Sequence, residues 1–234
     1  MTRQLFKTLI ISEILTITAT TYTLAQSTRT ISNVAPFKKI VVASGINIIL
    51  NQTGTREITV EGERTVISNV VCAVEDSTMS IYATRYKYSK SKKINVYIDF
   101  DSTLVDIVST SGNRIKCETP LTGSKLSFVA RNGSDFYIMA NSLSINAKSI
   151  SGSRIQLIGK ADKTDLYAEN GSDIHSYNLD NEFTSATATL SSHIECYASQ
   201  RLDAWATYDS YIYYKGDPHD TNISTTVGCK VLPK

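Results

Sequence analysis

The sequence is poor in the residues that most often carry catalysis or bind metal ions. It has 3 histidines, 4 cysteines and 1 tryptophan in 234 residues. The histidines, His175, His193 and His219, do not have the spacing of zinc ligands. The Asn-Gly-Ser-Asp segments at 132 and 170 lack the paired glycines of calcium-binding repeat turns. We therefore expect no metal site and no cofactor.

An excess of either charge is also missing. Lys and Arg together number 24 and Asp and Glu 22, so the formal net charge is +2. The one short basic run, RYKYSKSKK over residues 85–93, is typical of a solvated hairpin tip rather than of a polyanion site. Because electrostatic attraction to phosphates would be weak, we expect no nucleic-acid partner.

Long hydrophobic runs are confined to the N-terminus. Arg3 and Lys7 precede an apolar stretch from Leu9 to Ala19, and small residues lead up to Ala25. This order is typical of a cleaved secretory signal, which predicts a signal peptide over residues 1–25 and a single mature domain over 26–234. We expect the domain to lie in the periplasm, on the cell surface or outside the cell.

Two further segment types are absent. Position 26, where a bacterial lipoprotein carries its lipidated cysteine, is Gln26. No later run of about 18 apolar residues occurs, so no transmembrane span is predicted in the mature chain.

A short sequence motif, which predicts a turn followed by a strand, recurs between residues 105 and 231. The second residues of its six clearest copies are Gly112, Gly133, Gly152, Gly171, Ser191 and Asp209, with spacings of 18 to 21 residues. A seventh copy is centred on Gly228. Regular repetition at this period predicts a solenoid.

Apolar or small residues alternate on both sides of each bend, which indicates two strands with one buried face each. Equivalent strands of successive copies would stack about 4.8 Å apart. We therefore predict an all-β fold, a right-handed parallel β-helix of about seven coils over residues 105–231. Residues 34–100 are β-rich but lack the period, and we expect them to begin or cap the helix. Their predicted strands are 39–51, 57–61, 70–75, 79–84 and 94–100.

A small polar residue follows the bend in every copy. These residues are Asn113, Ser134, Ser153, Ser172, Ser192, Ser210 and Cys229. No base accompanies them at each level, so we interpret them as an inward-facing hydrogen-bonded ladder rather than as nucleophiles.

The four cysteines, Cys72, Cys117, Cys196 and Cys229, would suit two disulfides in an oxidising compartment. The repeat excludes one pairing. Cys117 and Cys196 share a column four coils apart, about 19 Å, whereas a disulfide needs Cα atoms within about 7 Å.

Two positions after the bend, Arg114, Asp135, Arg154 and Asp173 alternate in charge. Neighbouring opposite charges would fix the register of the coils. Asp135 and Asp173, about 9.6 Å apart, could form a catalytic acid pair, but Arg154 between them would hold both ionised. We predict no catalytic residues there.

Exposed aromatic residues are better candidates for binding. Tyr137 and Tyr213 share one outward column, and Tyr167 and Trp205 share another. Flat exposed rings stack on the apolar faces of sugars, although aromatics also simply favour strands. A polar patch of Glu169, His175, His193 and Glu195 is interpreted as a solvated face.

The segment Ser44-Gly45-Ile46-Asn47-Ile48-Ile49-Leu50, the glycine-serine turns after it and residues 214–218 resemble the GIN-domain family, described as head domains of bacterial auto-transporter adhesins. The resemblance covers about residues 34–234. It implies a secreted or surface β-helical domain with an adhesin-like role, and it supplies no catalytic residues.

The leading hypothesis is therefore a non-enzymatic secreted or surface domain that binds a glycan or a surface protein through one side of the β-helix. A polysaccharide-active enzyme and a purely structural or assembling module are the alternatives. The oligomeric state is left open.

Overall fold

The computed structural model describes residues 26–84, 93–101 and 104–234. The predicted signal peptide and most of the basic run 85–93 lie outside these residues. In the described part of the chain, no helix is long and apolar enough to span a membrane.

The described chain is almost entirely β-structure, with one short helix, α1 (Arg64–Ile67). The first strands are β1 (Gln26–Ser32), β2 (Lys39–Val42), β3 (Asn47–Gln52), β4 (Glu57–Glu63), β5 (Val70–Glu75), β6 (Thr78–Ala83) and β7 (Asn95–Phe100). The next are β8 (Asp106–Ser109), β9 (Arg114–Cys117), β10 (Leu121–Arg131), β11 (Asp135–Ile150), β12 (Arg154–Glu169) and β13 (Asp173–Asp180). The last are β14 (Phe183–Thr189), β15 (His193–Tyr197), β16 (Arg201–Ala206), β17 (Tyr211–Lys215), β18 (Asp220–Thr225) and β19 (Lys230–Pro233).

The predicted β-solenoid of about seven turns is confirmed. Strands preceding a bend pair in parallel with their equivalents in neighbouring coils, through β8, the ends of β10 to β12, and then β14, β16 and β18. We call this stack the before-bend ladder. Strands following a bend form the after-bend ladder, through β9, the beginnings of β11 and β12, and then β13, β15, β17 and β19.

Each of the first six bends of the repeat is made by two consecutive residues in the left-handed region, whereas the seventh has only Gly228, with φ of 86°. Asn132 and Gly133, for example, have φ of 53° and 74°. Glycine adopts this conformation without a steric penalty. The coils at Leu190–Ser191 and Tyr208–Asp209 make the same bend without glycine, with φ between 52° and 59°. The bend is therefore imposed by the stacking of the coils as well as by glycine.

The core is a set of small columns that run the length of the solenoid. Ile115, Phe136, Ile155, Ile174, Ile194 and Ile212 lie three positions after the bend, and each is 0 % exposed. On the before-bend side, several of the buried core residues are alanines, namely Ala186, Ala188, Ala204 and Ala206. Such close packing of equivalent residues fixes the register of every coil.

The N-terminal part enters the solenoid instead of only preceding it. The predicted strand over 39–51 is wrong, because Ser44 and Gly45, with φ of 77° and 69°, divide it into β2 and β3. β2 pairs in parallel with β8, and β3 with β9. On their other sides, β2 and β3 pair in parallel with β6 and β7. The glycine of the family motif is therefore a bend in register with the later ones.

The N-terminal end of the solenoid is capped by antiparallel structure. β4 pairs antiparallel with both β1 and β7, and β5 pairs antiparallel with β6. Val66 and Ile67 of α1 are buried against the core. At the other end, the seventh predicted coil is present, but all residues of β18 are exposed, including Ile223 at 43 % in a core column.

The polar column after the bends is buried, as predicted, and serves structure. The backbone N–H of Ser134 donates to Ser153 Oγ (3.2 Å), that of Ser153 to Ser172 Oγ (3.3 Å), and that of Ser172 to Ser192 Oγ (3.2 Å). The Ser153 hydroxyl in turn donates to the carbonyl of Ile150 (2.8 Å). The ladder thus joins hydroxyls to backbone groups, where hydroxyl-to-hydroxyl bonds between coils had been expected.

All four cysteines are free thiols, so the two disulfides that their number would allow are not formed. Cys117 and Cys196 are buried core residues, as the repeat predicted, and are not bonded to each other. Cys72 lies on β5 in the N-terminal cap, whereas Cys229 lies at the C-terminal end of the solenoid.

Candidate binding surface

The four predicted aromatic residues lie on two different ladders. Tyr167 and Trp205 are on the before-bend ladder, where both oppose Thr187 in register. Tyr137 and Tyr213 are on the after-bend ladder, with Gln156, His175 and Glu195 between them. The structure therefore brings them together as two pairs and not as one site.

Around Tyr167 and Trp205, nine outward side chains form a regular array of three columns on three strands. We call it the β12–β14–β16 grid. Its columns are Lys163, Phe183 and Arg201; Asp165, Ser185 and Asp203; and Tyr167, Thr187 and Trp205. Parallel in-register pairing dictates this arrangement, because residues of one column stand about 4.8 Å apart and columns of one face about 6.6 Å.

The grid contains a shallow pocket at the beginning of β14 and β16. Its volume is about 370 Å³, and its lining residues are Lys163, Phe183, Thr184, Ser185, Arg201 and Asp203. The volume lies in the range of small-molecule sites, about 300 to 1,000 Å³. Phe183 is 42 % exposed at its edge, and Trp205 is two residues beyond Asp203 on the same face of β16. The Phe183 ring therefore lies at the pocket, and Trp205 lies beyond it on the same face.

One polar group of the pocket, the Asp203 carboxylate, is held in place by an arginine. Arg201 donates from Nε and Nη2 to the two carboxylate oxygens of Asp203, at 2.9 and 3.0 Å, and its Nη1 lies 3.1 Å from Asp220. The hydrogen bonds from Arg201 hold the pKa of the Asp203 carboxyl below its ordinary value. Asp203 is therefore a fixed hydrogen-bond acceptor and a poor proton donor.

The Tyr167 ring is also held in place by a hydrogen bond to a neighbouring side chain. Its hydroxyl donates to Glu169 Oε2 at 3.1 Å. Burial raises the pKa of Tyr167, and the Glu169 hydrogen bond and charge add to the shift. The ring is thereby fixed at one edge of the grid with its hydroxyl protonated.

Sequence reasoning missed Lys163, Phe183, Arg201 and Asp203. A usable signal existed for the column of Lys163, Phe183 and Arg201, because each stands eight positions before the bend that follows it. The columns predicted from the sequence did not extend as far as eight positions before the bend, so this column was not considered.

The predicted polar patch forms in part. His175 Nδ1 lies 2.8 Å from Glu195 Oε2, and the His193 ring meets that of His175 edge to face at 5.9 Å. Glu169 lies apart, on the before-bend side with Tyr167. Burial lowers the pKa of the His193 imidazole, so this ring is not part of a freely solvated face.

The acids considered for catalysis are both held by arginines. Arg114 lies 3.6 Å from Asp135, and Arg154 lies 3.2 Å from Asp173. Within the described residues, no group of three or more His, Cys, Asp and Glu side chains is arranged to hold a metal ion.

Structural comparison places the chain among solved bacterial β-proteins. A putative adhesin from Bacteroides fragilis NCTC 9343 is 22 % identical with a TM-score of 0.80, and the match covers 90 % of this chain and 97 % of that one. A putative adhesin from Parabacteroides distasonis ATCC 8503 is 20 % identical with a TM-score of 0.68, covering 90 % and 97 %. A putative lipid binding protein from the same strain is 17 % identical with a TM-score of 0.67, covering 89 % and 96 %. At these identities the likeness concerns the fold.

No curated protein sequence matches the chain. Residues 36–218 match the family described as "Putative auto-transporter adhesin, head GIN domain". This match spans most of the chain and includes the motif bend at Gly45, the solenoid and the grid. The chain belongs to this GIN-domain family.

Proposed function

We propose that the protein is a secreted, non-enzymatic binding domain that recognises a glycan through the β12–β14–β16 grid. The observation that carries the proposal is the placement of Tyr167, Phe183 and Trp205 around polar groups that Arg201 holds fixed. Phe183 is exposed, whereas Tyr167 and Trp205 are half-buried. The accessible parts of such rings can bury the apolar faces of sugars, and neighbouring donors and acceptors bind the hydroxyls.

The rigidity of the grid favours binding. Its side chains stand on strands paired on both sides, so little conformational entropy is lost when a ligand is bound. The family description and the predicted signal peptide support a location at the cell surface or outside the cell.

Glycoside hydrolysis is the alternative to be tested. Asp165 and Asp203 share a column across Ser185, about 9.6 Å apart at strand spacing, at the upper limit of the separation in inverting enzymes. Such an enzyme needs one carboxyl that is protonated near neutral pH. Arg201 keeps Asp203 ionised, and Asp165 is exposed and accepts a 3.1 Å hydrogen bond from Asn146. Asp203 is therefore a poor general acid, which supports binding without cleavage.

The proposal is tested by glycan-array binding of the wild-type protein and of Trp205→Ala and Tyr167→Ala. Loss of a central aromatic contact should weaken binding at least about tenfold. Tyr137→Ala is the matched control, because Tyr137 is an exposed tyrosine of the other ladder, and it should bind like the wild type. Equal binding by Trp205→Ala and the wild type would remove the grid from the interaction.

A further inference from the structure

A second surface with different chemistry lies on the after-bend ladder, near the C-terminal end of the solenoid. It consists of Tyr177 on β13, His193 on β15, Tyr213 and Lys215 on β17, and Lys234 after β19. We call these five residues the lysine–tyrosine patch. It shares no residue with the grid.

The two lysines of the patch lie over aromatic rings. Lys215 Nζ is 4.5 Å from the centroid of the Tyr177 ring, and Lys234 Nζ is 4.5 Å from that of Tyr213. The His193 ring packs edge to face against Tyr213, with centroids 5.3 Å apart. Cation–π contact restrains an ammonium group but does not neutralise its charge.

Neither lysine has a carboxylate partner among the described residues, which distinguishes this end of the ladder from the rest. In the earlier coils Arg114 is paired with Asp135, and Arg154 with Asp173. The backbone N–H of Lys234 donates to the Tyr214 carbonyl at 2.9 Å, which places Lys234 on the strand next to Lys215. Two ammonium groups that no Asp or Glu side chain of the described residues binds therefore stand on adjacent strands.

The acidic side chains near the patch are bound by residues other than the two lysines. Glu195 is bound by His175 at 2.8 Å, and Asp173 by Arg154 at 3.2 Å. They moderate the positive potential without removing the ammonium donors of Lys215 and Lys234. An approaching anion therefore meets two ammonium groups that are not held by Asp or Glu side chains of the described chain.

Two polar atoms beneath the lysines lack a hydrogen-bond partner in the described structure, the Tyr177 hydroxyl and His193 Nε2. Burial raises the pKa of Tyr177 to about 12, and the charge of Glu195 adds to the shift, so the phenol is a protonated donor at neutral pH. Buried donors without partners are rare in native proteins and often mark a site that a ligand or water completes.

We propose that the lysine–tyrosine patch binds the sulfate or carboxylate groups of an acidic polysaccharide. The ammonium groups of Lys215 and Lys234 contact the anion, and the rings of Tyr177 and Tyr213 hold these ammonium groups in position. This interaction is separate from glycan binding at the grid and does not depend on it.

The test measures the affinity of the purified protein for immobilised dextran sulfate, polygalacturonate and unsubstituted dextran, and for phosphatidylserine vesicles, at about 0.15 M ionic strength. We expect binding to at least one of the two acidic polymers, which identifies the preferred anion, and weaker binding at higher salt. The double variant Lys215→Gln/Lys234→Gln should lose at least about tenfold in affinity. A Lys125→Gln/Lys160→Gln variant removes the same charge from exposed positions of β10 and β12 and should bind like the wild type.

Equal losses in the two double variants would overturn the proposal, because bulk charge would then explain the binding. Binding of dextran as strongly as of the acidic polymers would also overturn it, as would binding only to phosphatidylserine vesicles. Trp205→Ala should leave binding of the acidic polymer unchanged. Failure of the grid in the glycan array is therefore distinguishable from failure of this patch.

Discussion

The backbone N–H of Ile46 donates a 2.9 Å hydrogen bond to Asn113 Oδ1, although the two residues are 67 positions apart in the sequence. Asn113 Nδ2 donates in turn to the carbonyl of Val42 at 3.1 Å and to Ser109 Oγ at 2.9 Å. One buried amide thus joins the motif bend at Gly45 to the next bend of the solenoid, at Gly112.

Asn113→Ala should therefore destabilise the protein. The substitution leaves the Ile46 N–H without a partner in the core, which costs about 1 to 3 kcal/mol, whereas the Val42 carbonyl keeps its 3.0 Å hydrogen bond from the Thr110 N–H. We expect the free energy of unfolding in urea to fall by about 2 kcal/mol. Asn178→Ala, at an exposed position of β13, is the control and should change it by less than about 0.5 kcal/mol.

The serine ladder leads to a similar prediction for a single hydroxyl. Ser153→Ala removes the acceptor of the Ser134 N–H and the donor to the Ile150 carbonyl, which should lower the free energy of unfolding by about 2 kcal/mol. The exposed Ser124 of β10 provides the control variant, Ser124→Ala. If both variants unfold at the same urea concentration as the wild type, the ladder is not a stabilising element.

The cysteines should differ sharply in reactivity. Burial raises the pKa of both Cys117 and Cys196 to about 12, so almost no thiolate forms at pH 8. At Cys229 burial acts in the same direction, but hydrogen bonds from Thr226 and from backbone amides outweigh it and lower the pKa. Iodoacetamide labelling of the native protein, followed by mass spectrometry, should modify Cys229 first and leave Cys117 and Cys196 unmodified. Labelling of all three at one rate would show that the core opens readily.

His193 should make stability depend on pH. Burial lowers its pKa from 6.5, the Glu195 charge opposes this shift in part, and His175, Asp173 and Lys234 also act on the ring. The unfolded chain therefore binds a proton at a higher pH than the native protein does. The contribution of His193 to stability is complete above about pH 6.5 and is lost as the pH falls through its lower native pKa.

We expect the melting temperature of the wild type to fall between about pH 7 and pH 5, and to fall less in His193→Gln. His219→Gln removes an exposed histidine and should follow the wild type. A steeper fall in His193→Gln than in the wild type would contradict the assignment.

Much of the solenoid could be predicted because each coil repeats the same bend. Ile155 and Ile174, for example, both lie three positions after a bend, and this shared position predicts that both are buried in one core column. The bend at Gly45 could not, because β4 to β7 are inserted between it and Gly112 and interrupt the period. The aromatic pair Tyr167 and Trp205 was found from its shared column. The pocket could not be predicted, because it lies near a corner of the coils. The direction of a side chain there depends on how the chain turns, which the repeat does not specify.

The central proposal is that the β12–β14–β16 grid binds a glycan without cleaving it. The most direct measurement is a screen of the purified protein against neutral polysaccharides, scored together for retention and for new reducing ends, with Trp205→Ala beside the wild type. We predict that the wild type is retained by at least one polymer, that Trp205→Ala is retained at least about tenfold more weakly, and that neither releases reducing ends. Release of reducing ends by the wild type, or retention of both proteins alike, would contradict the account.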